Sequence, residues 1–172
     1  KNIDYYINEA GCGWNKDSTN LFEKPEAQII TNLNLQHKDL LKARNIHDIC
    51  KIKCGALSKK TNIYIGRQNT KTLEIIKKIL KKNPSKKYYY GRDFNIKKVK
   101  NFYLYSDKKG ILKLKAKQII SSGLWENIAL AIKVARDLNV NNKTILKALP
   151  KIQLLGRLQF IKKGKIRKLL SL

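Results

Sequence analysis

Short apolar runs and amphipathic stretches alternate along this chain. Residues 3–9 and 27–33 are runs rich in Ile and Tyr, of the length expected for buried parallel strands. A polar loop with two glycines, Asp, Ser and Thr lies between them. From Ile46 to Leu57 the apolar spacing turns helical, with Asn45 placed as an N-cap. Residues 62–66 read as a third strand, and 71–83 as an amphipathic helix burying Leu73, Ile76, Ile79 and Leu80, stopped by Pro84. Residues 87–90 are again β-rich. Positions 97–119 alternate (Val99, Phe102, Leu104, then Ile111, Leu112, Leu114) around Ser106-Asp107-Lys108-Lys109-Gly110, which predicts a hairpin. A helix is expected from Leu124 to Leu138, facing inward with Ile128, Leu130, Ala131, Val134, Ala135 and Leu138. A shorter one runs from Lys143 to Leu149, capped by Asn141 or Asn142. Strands interleaved with helices predict an α/β fold.

Composition narrows the class. At 172 residues and 42% hydrophobic content the chain suits one globular domain, with no compositional sign of wholesale disorder. No apolar run reaches the roughly 18 residues of a membrane span, and no charged-apolar-small cleavage pattern opens the chain. The cysteines, Cys12, Cys50 and Cys54, are odd in number and lack a disulfide framework, which points to a reducing cytoplasm.

The formal charge is +26. Such an excess raises the alternative of a lysine-rich nucleic-acid-binding protein, since Lys and Arg displace counterions from phosphates. Two features argue against it. Only 6 of the 38 basic residues are Arg, and the lysines are dispersed among abundant Ile and Asn, as an A+T-biased coding sequence would give. A one-sided basic stripe, which a groove binder needs, is not evident in the sequence. A third reading follows from spacing alone. His47, Cys50 and Cys54 share one helical face, with Cys12 as a further thiolate, a set that zinc accepts. Cysteines packed in a core explain the same spacing more simply.

The richest segment is Asn8-Glu9-Ala10-Gly11-Cys12-Gly13-Trp14-Asn15-Lys16-Asp17-Ser18-Thr19-Asn20-Leu21. One carboxylate beyond an apolar run, followed by glycines that let backbone approach a ligand, suits a magnesium ion and its waters. The segment resembles the E-x-G-x-G-G-x-x-D-A-T-N stretch of the folylpolyglutamate synthase and dihydrofolate synthase family of the Mur ligase superfamily. Four further blocks follow in the same order. Ile30-Thr31-Asn32-Leu33-Asn34-Leu35-Gln36-His37 is similar to I-T-x-I-x-x-D-H, and Ile46 to Gly55 to the I-A-x-E-K-A-G helix. Glu126 to Ala131 is similar to x-N-A-x-x-A, and Leu155-Gly156-Arg157-Leu158-Gln159 to G-R-L-E.

The resemblance implies a partial Mur-ligase central, ATP-binding domain over residues 1–172, without the C-terminal ligase domain. Its mostly parallel sheet would carry flanking helices and an antiparallel hairpin. The implied activity is ATP-dependent ligation of glutamate to folate or dihydropteroate by a monomeric, cytoplasmic, magnesium-dependent enzyme. Residue by residue, Glu9 and His37 correspond to metal ligands. Lys53 corresponds to a lysine carbamylated by CO₂. Lys16, Asp17 and Ser18 fall on the segment contacting the pterin, Asn127 on a position at the base of ATP, and Arg157 at its phosphates. Departures are visible. Gln36 stands for Asp, Ile52 for Glu, Gly123-Leu124 for His-Gln, and Trp14 and Asn15 for Gly and a basic residue, which sets a bulky ring at the folate approach. The family's P-loop, G-x-x-x-x-G-K-[ST], is not in this sequence. The expectation is a central piece of a longer enzyme, inactive by itself.

Overall fold

The computed structural model describes residues 3–15, 17–116, 119 and 121–152. These fall into two compact units, Lys1–Arg92 and Asp93–Leu172.

The first unit is built on a parallel sheet. Strands β1 (Gln28–Ile30), β2 (Ile63–Ile65) and β3 (Lys87–Tyr89) pair in that order. Helix α1 (Ile46–Cys54) connects the first two and α2 (Thr70–Ile79) the second pair, the βαβ arrangement that parallel strands require. Both helices open on an asparagine whose side chain accepts from backbone N–H groups of the first turn, Asn45 from His47 and Asp48, and Asn69 from Thr72. A 3-10 turn, Leu80–Lys82, ends α2 ahead of Pro84. Ile30, Ile63, Ile65, Ile76, Leu80 and Tyr89 form the core with Cys50 and Cys54. β2 is buried at every position, as a central strand covered on both faces must be.

Residues 3–9 form no strand, contrary to the sequence expectation. Ile7 is 90% exposed and Tyr6 is 70% exposed, and the latter meets only Phe22 edge-on among the aromatic pairs described. An apolar run becomes a strand only when a ladder neighbour satisfies its backbone, and none of the described strands pairs with this one. Glu9 therefore stands in an extended loop rather than at a strand end.

The second unit holds an antiparallel meander, β4 (Phe94–Val99), β5 (Phe102–Asp107) and β6 (Gly110–Leu114), followed by α3 (Ser122–Asp137) and α4 (Asn142–Ala148). The expected hairpin is present between β5 and β6, with Asp107 opposite Gly110; a further strand precedes it. Inner-face residues Phe94, Ile96, Tyr105, Leu112 and Leu114 are buried with Trp125, whose ring stacks on Tyr103 at 4.0 Å. Ala131, expected inside, is exposed, and Ile132 is buried in its place. One face of α3 also carries charge inward. Arg136 Nη1 donates to Asp107 at 2.5 Å and to the Gly110 carbonyl at 3.0 Å, and its Nε donates to Asn142 at 3.0 Å. Both partners of the ion pair are buried, with side chains 3% and 0% exposed. Lys133 pairs with Asp137 at 2.6 Å. Away from these elements, His37, Lys42, Lys100 and Asn139 adopt left-handed backbone at φ of 54°, 50°, 48° and 64°.

Candidate functional site

Three segments of the first unit converge where the sequence placed its candidate site. The loop 8–21 is closed around Asp17. Its carboxylate accepts from the Cys12 N–H at 3.1 Å, the Thr19 N–H at 3.0 Å and the Thr19 hydroxyl at 2.6 Å. The Thr19 hydroxyl, then the Cys12 and Thr19 amides, hold the Asp17 carboxyl well below the usual carboxylate range. Asn20 Nδ2 donates to the Trp14 carbonyl at 3.1 Å, and Asn8 Nδ2 donates to the Thr19 carbonyl, fastening the start of the loop to its end. Asp17 is thus the internal tie of an Asx-type turn, with both oxygens engaged by the loop itself. Ser18 beside it is exposed.

The loop is moored to α1 by one long side chain. Lys53 Nζ donates to the Cys12 carbonyl at 2.8 Å, across 41 residues. The neighbouring Gly13 lies so close to α1 that a Cβ there would meet Ile52 Cγ2 at 3.1 Å and Leu41 Cδ2 at 3.6 Å. A side chain here would press Ile52 back by a few tenths of an ångström, so what crowds this glycine is the protein's own helix. Trp14 turns inward and packs against the sheet core, so its ring does not stand at an open approach. Leu41 belongs to the turn after β1, where its N–H donates to the His37 carbonyl at 2.9 Å. Hydrogen bonds across the C-terminal ends of β1 and β2, Leu33 N–H to Gln68 Oε1 and Asn32 Nδ2 to the Arg67 carbonyl, both at 2.9 Å, hold that turn's root in place. The loop of Glu9, the turn of His37 and the helix of Lys53 are in this way joined at the strand ends, where open α/β sheets take ligands.

The candidates differ in what they offer. Glu9 and His37 are exposed, and Lys53 is half-buried. A carboxylate is the hard oxygen donor that magnesium takes, one or two per ion, with waters filling the rest. Glu9 fits that chemistry, whereas the His37 imidazole is a softer donor than magnesium usually takes. Among the described residues, no group of three or more His, Cys, Asp and Glu side chains is gathered to hold a metal. Zinc at His47, Cys50 and Cys54 finds no support in this arrangement. The His47 side chain is 60% exposed and faces Asp48, while both thiols are sealed in the core. Burial pushes the Cys54 thiol up to about 12 and raises Cys50 as well, so both stay protonated and packed at neutral pH.

In the second unit Asn127 lies exposed on the second turn of α3. Lys16 and Arg157 lie outside the described residues. Sequence reasoning missed the Cys12 carbonyl as the partner of Lys53, because a backbone acceptor carries no residue signature. It also missed the buried Arg136–Asp107 pair. Its only signal was an Asp in a turn and an Arg on an apolar helix face.

No family model matches the chain. Over 77 residues it is 35% identical to the Schizosaccharomyces pombe protein "Probable folylpolyglutamate synthase", a match covering 45% of this chain and 15% of that protein. Its fold superposes on L. casei folylpolyglutamate synthase in the apo form with a TM-score of 0.77 and 22% identity, over 90% of this chain and 40% of that one. A folylpolyglutamate synthase complex with AMPPCP and folate gives 0.77 and 23%, over 87% and 38%. E. coli FolC in complex with DHPP and ADP gives 0.76 and 20%, over 90% and 36%. The chain shares the α/β fold of these enzymes. Over those 77 residues the chain is similar in sequence to a folylpolyglutamate synthase, and its described fold is similar to that of these enzymes. The chain spans 40% or less of the length of these relatives.

Proposed function

We propose that this chain contributes to an ATP-dependent ligase that adds glutamate to folate or dihydropteroate, as a cytoplasmic monomer. In that reaction ATP phosphorylates the substrate carboxylate, giving an acyl phosphate and ADP. The glutamate amine then attacks, forming the amide and releasing phosphate. Magnesium, when bound, offsets the charge on the phosphoryl oxygens. The observation that supports this reading is the 2.8 Å bond from Lys53 to the Cys12 carbonyl, which joins the loop of Glu9 to the helix of Lys53.

In this reading Glu9 and His37 would hold magnesium. Lys53 reacts as the neutral amine with CO₂, losing one proton to give an N-linked carboxylate. The nitrogen keeps one N–H, so its bond to the Cys12 carbonyl can persist, and the new carboxylate would supply a further oxygen donor for magnesium. Asp17 orders the segment in which Lys16 and Ser18 meet the pterin. Asn127 and Arg157 serve the nucleotide. The phosphates themselves need a cradle of backbone amides and a lysine, and the P-loop pattern that provides it is not found in residues 1–172.

Two measurements test this. With ¹³C-bicarbonate and magnesium, carbon NMR of the chain should show a lysine carbamate that Lys53→Met abolishes and Glu9→Ala weakens. Failure to see that carbon at any bicarbonate or magnesium concentration refutes the role of Lys53. Residues 1–172 alone should neither hydrolyse ATP nor ligate glutamate; glutamate-dependent ADP release by them would overturn the assignment of phosphate binding to a P-loop.

A further inference from the structure

The outer face of the antiparallel sheet in the second unit has a composition that the ligase reading does not use. Strand alternation sends Phe94, Ile96, Tyr105, Leu112 and Leu114 to the buried side. The opposite side presents Lys97 and Val99 from β4, Phe102 and Leu104 from β5, and Ile111 and Lys113 from β6. Lys97, Leu104 and Lys113 stand directly opposite one another across the three strands. Phe102 lies diagonally from Lys113, whose Nζ sits 4.3 Å from the ring centroid. Ile111 is 68% exposed, and Lys97, Lys113 and the following Lys115 are exposed too. The meander's own acid, Asp107, points the other way into its buried pair with Arg136. This face is therefore apolar and aromatic along its centre, basic on both flanks, and free of carboxylates among its strand residues. The sequence could not show this one-sidedness, because the lysines become a single surface only once the register of three strands is fixed.

We propose that this sheet face binds single-stranded nucleic acid without base-specific readout. Lysines on the two outer strands take backbone phosphates, and Phe102 offers a flat ring on which a base can stack, as other single-strand platforms do. Phe102 is half-buried, and an ammonium over such a ring at the surface is a weaker contact than a stacked base. Lys113 thus yields the ring to a base and turns to a phosphate. A duplex is disfavoured, because its bases are already stacked on one another and present no free face to Phe102. The inference is independent of the ligase reading, since it uses none of the residues to which that reading gives a role.

The test is fluorescence anisotropy of a labelled oligothymidine of roughly a dozen nucleotides with the full 172-residue chain, over a range of salt. Neutralising both flanks with Lys97→Gln and Lys113→Gln should remove two phosphate contacts and flatten the salt slope by about 1.4 at about 0.7 per contact. The same charge loss on the first unit, Lys81→Gln with Lys82→Gln, should leave the slope nearly unchanged. Phe102→Leu keeps an apolar side chain but no ring; it should weaken binding about fivefold or more with the slope intact. Far-ultraviolet circular dichroism of each variant checks that the sheet remains folded. Equal losses from both lysine pairs, or oligoglutamate competing as well as oligothymidine while Phe102→Leu has no effect, would reduce the face to general polyanion attraction and overturn the proposal.

Discussion

Removing Arg136 tests how the second unit is held together. In the folded chain its guanidinium neutralises Asp107 and reaches the Gly110 carbonyl and Asn142, tying the β5–β6 turn to α3 and the start of α4. Arg136→Met keeps much of the stem but leaves Asp107 charged in a site where its side chain has no exposed surface. The Tyr105 hydroxyl, at 2.8 Å, and the Lys109 N–H, at 2.8 Å, still donate to that carboxylate, so it is not wholly abandoned. Breaking a buried pair by deleting one partner costs about 3–5 kcal/mol, and those two donors favour the lower end. With a urea m-value of about 1.5 kcal/mol/M, 3 kcal/mol lowers the midpoint by about 2 M. Trp125 reports the unit through its stack on Tyr103; a Trp14→Phe background removes the second indole. Adding Asp107→Asn to Arg136→Met should recover about 1–2 kcal/mol, because the uncompensated charge disappears. A double variant no more stable than Arg136→Met, or a single variant shifted by less than about 0.5 M, would show that the pair's charge is not what the unit depends on.

Two further outcomes follow from the loop 8–21. The lowered pKa of Asp17 means that its contribution is present above the unfolded pKa of about 4 and fades as pH falls below it. Amide protection at Cys12 and Thr19, measured by hydrogen exchange, should therefore be constant from pH 5 to 8. It should drop on acidification toward the folded-state value, and Asp17→Ala should show the low protection at every pH. Gly13→Ala should destabilise the first unit by about 1–2 kcal/mol through its clash with Ile52, and Ile52→Ala should relieve that increment in a thermal-melt cycle. Additive melts would show that the two residues do not meet.

The legible parts of this fold are those where local chemistry and packing agree. Asn45 before an apolar spacing of helical period gave α1, and the Asp107–Gly110 turn gave its hairpin, because caps and turns are decided within a few residues. The run at 3–9 misled for the opposite reason. Tyr5, Tyr6 and Ile7 have strand-like side chains, but pairing depends on a distant neighbour that composition cannot supply. Of the candidate site, the placement of Glu9, His37 and Lys53 on adjoining segments was readable only through resemblance to a known family. The partners of Asp17 and Gly13 carry no local sequence signature. Both Asp17 oxygens accept from its own loop, and Gly13 lies against Ile52.

The left-handed residues carry a consequence of a different kind. Lys42 and Lys100 hold φ near 50°, a region that costs an L-residue about 1–2 kcal/mol and glycine almost nothing. Both side chains are exposed, so neither conformation is held by burial of the lysine itself. The composition that fills this chain with lysine has thus reached turns where the backbone favours another residue. Each such turn is a reserve of stability that a change of one exposed side chain could release without touching the core, the moored loop or the sheet face.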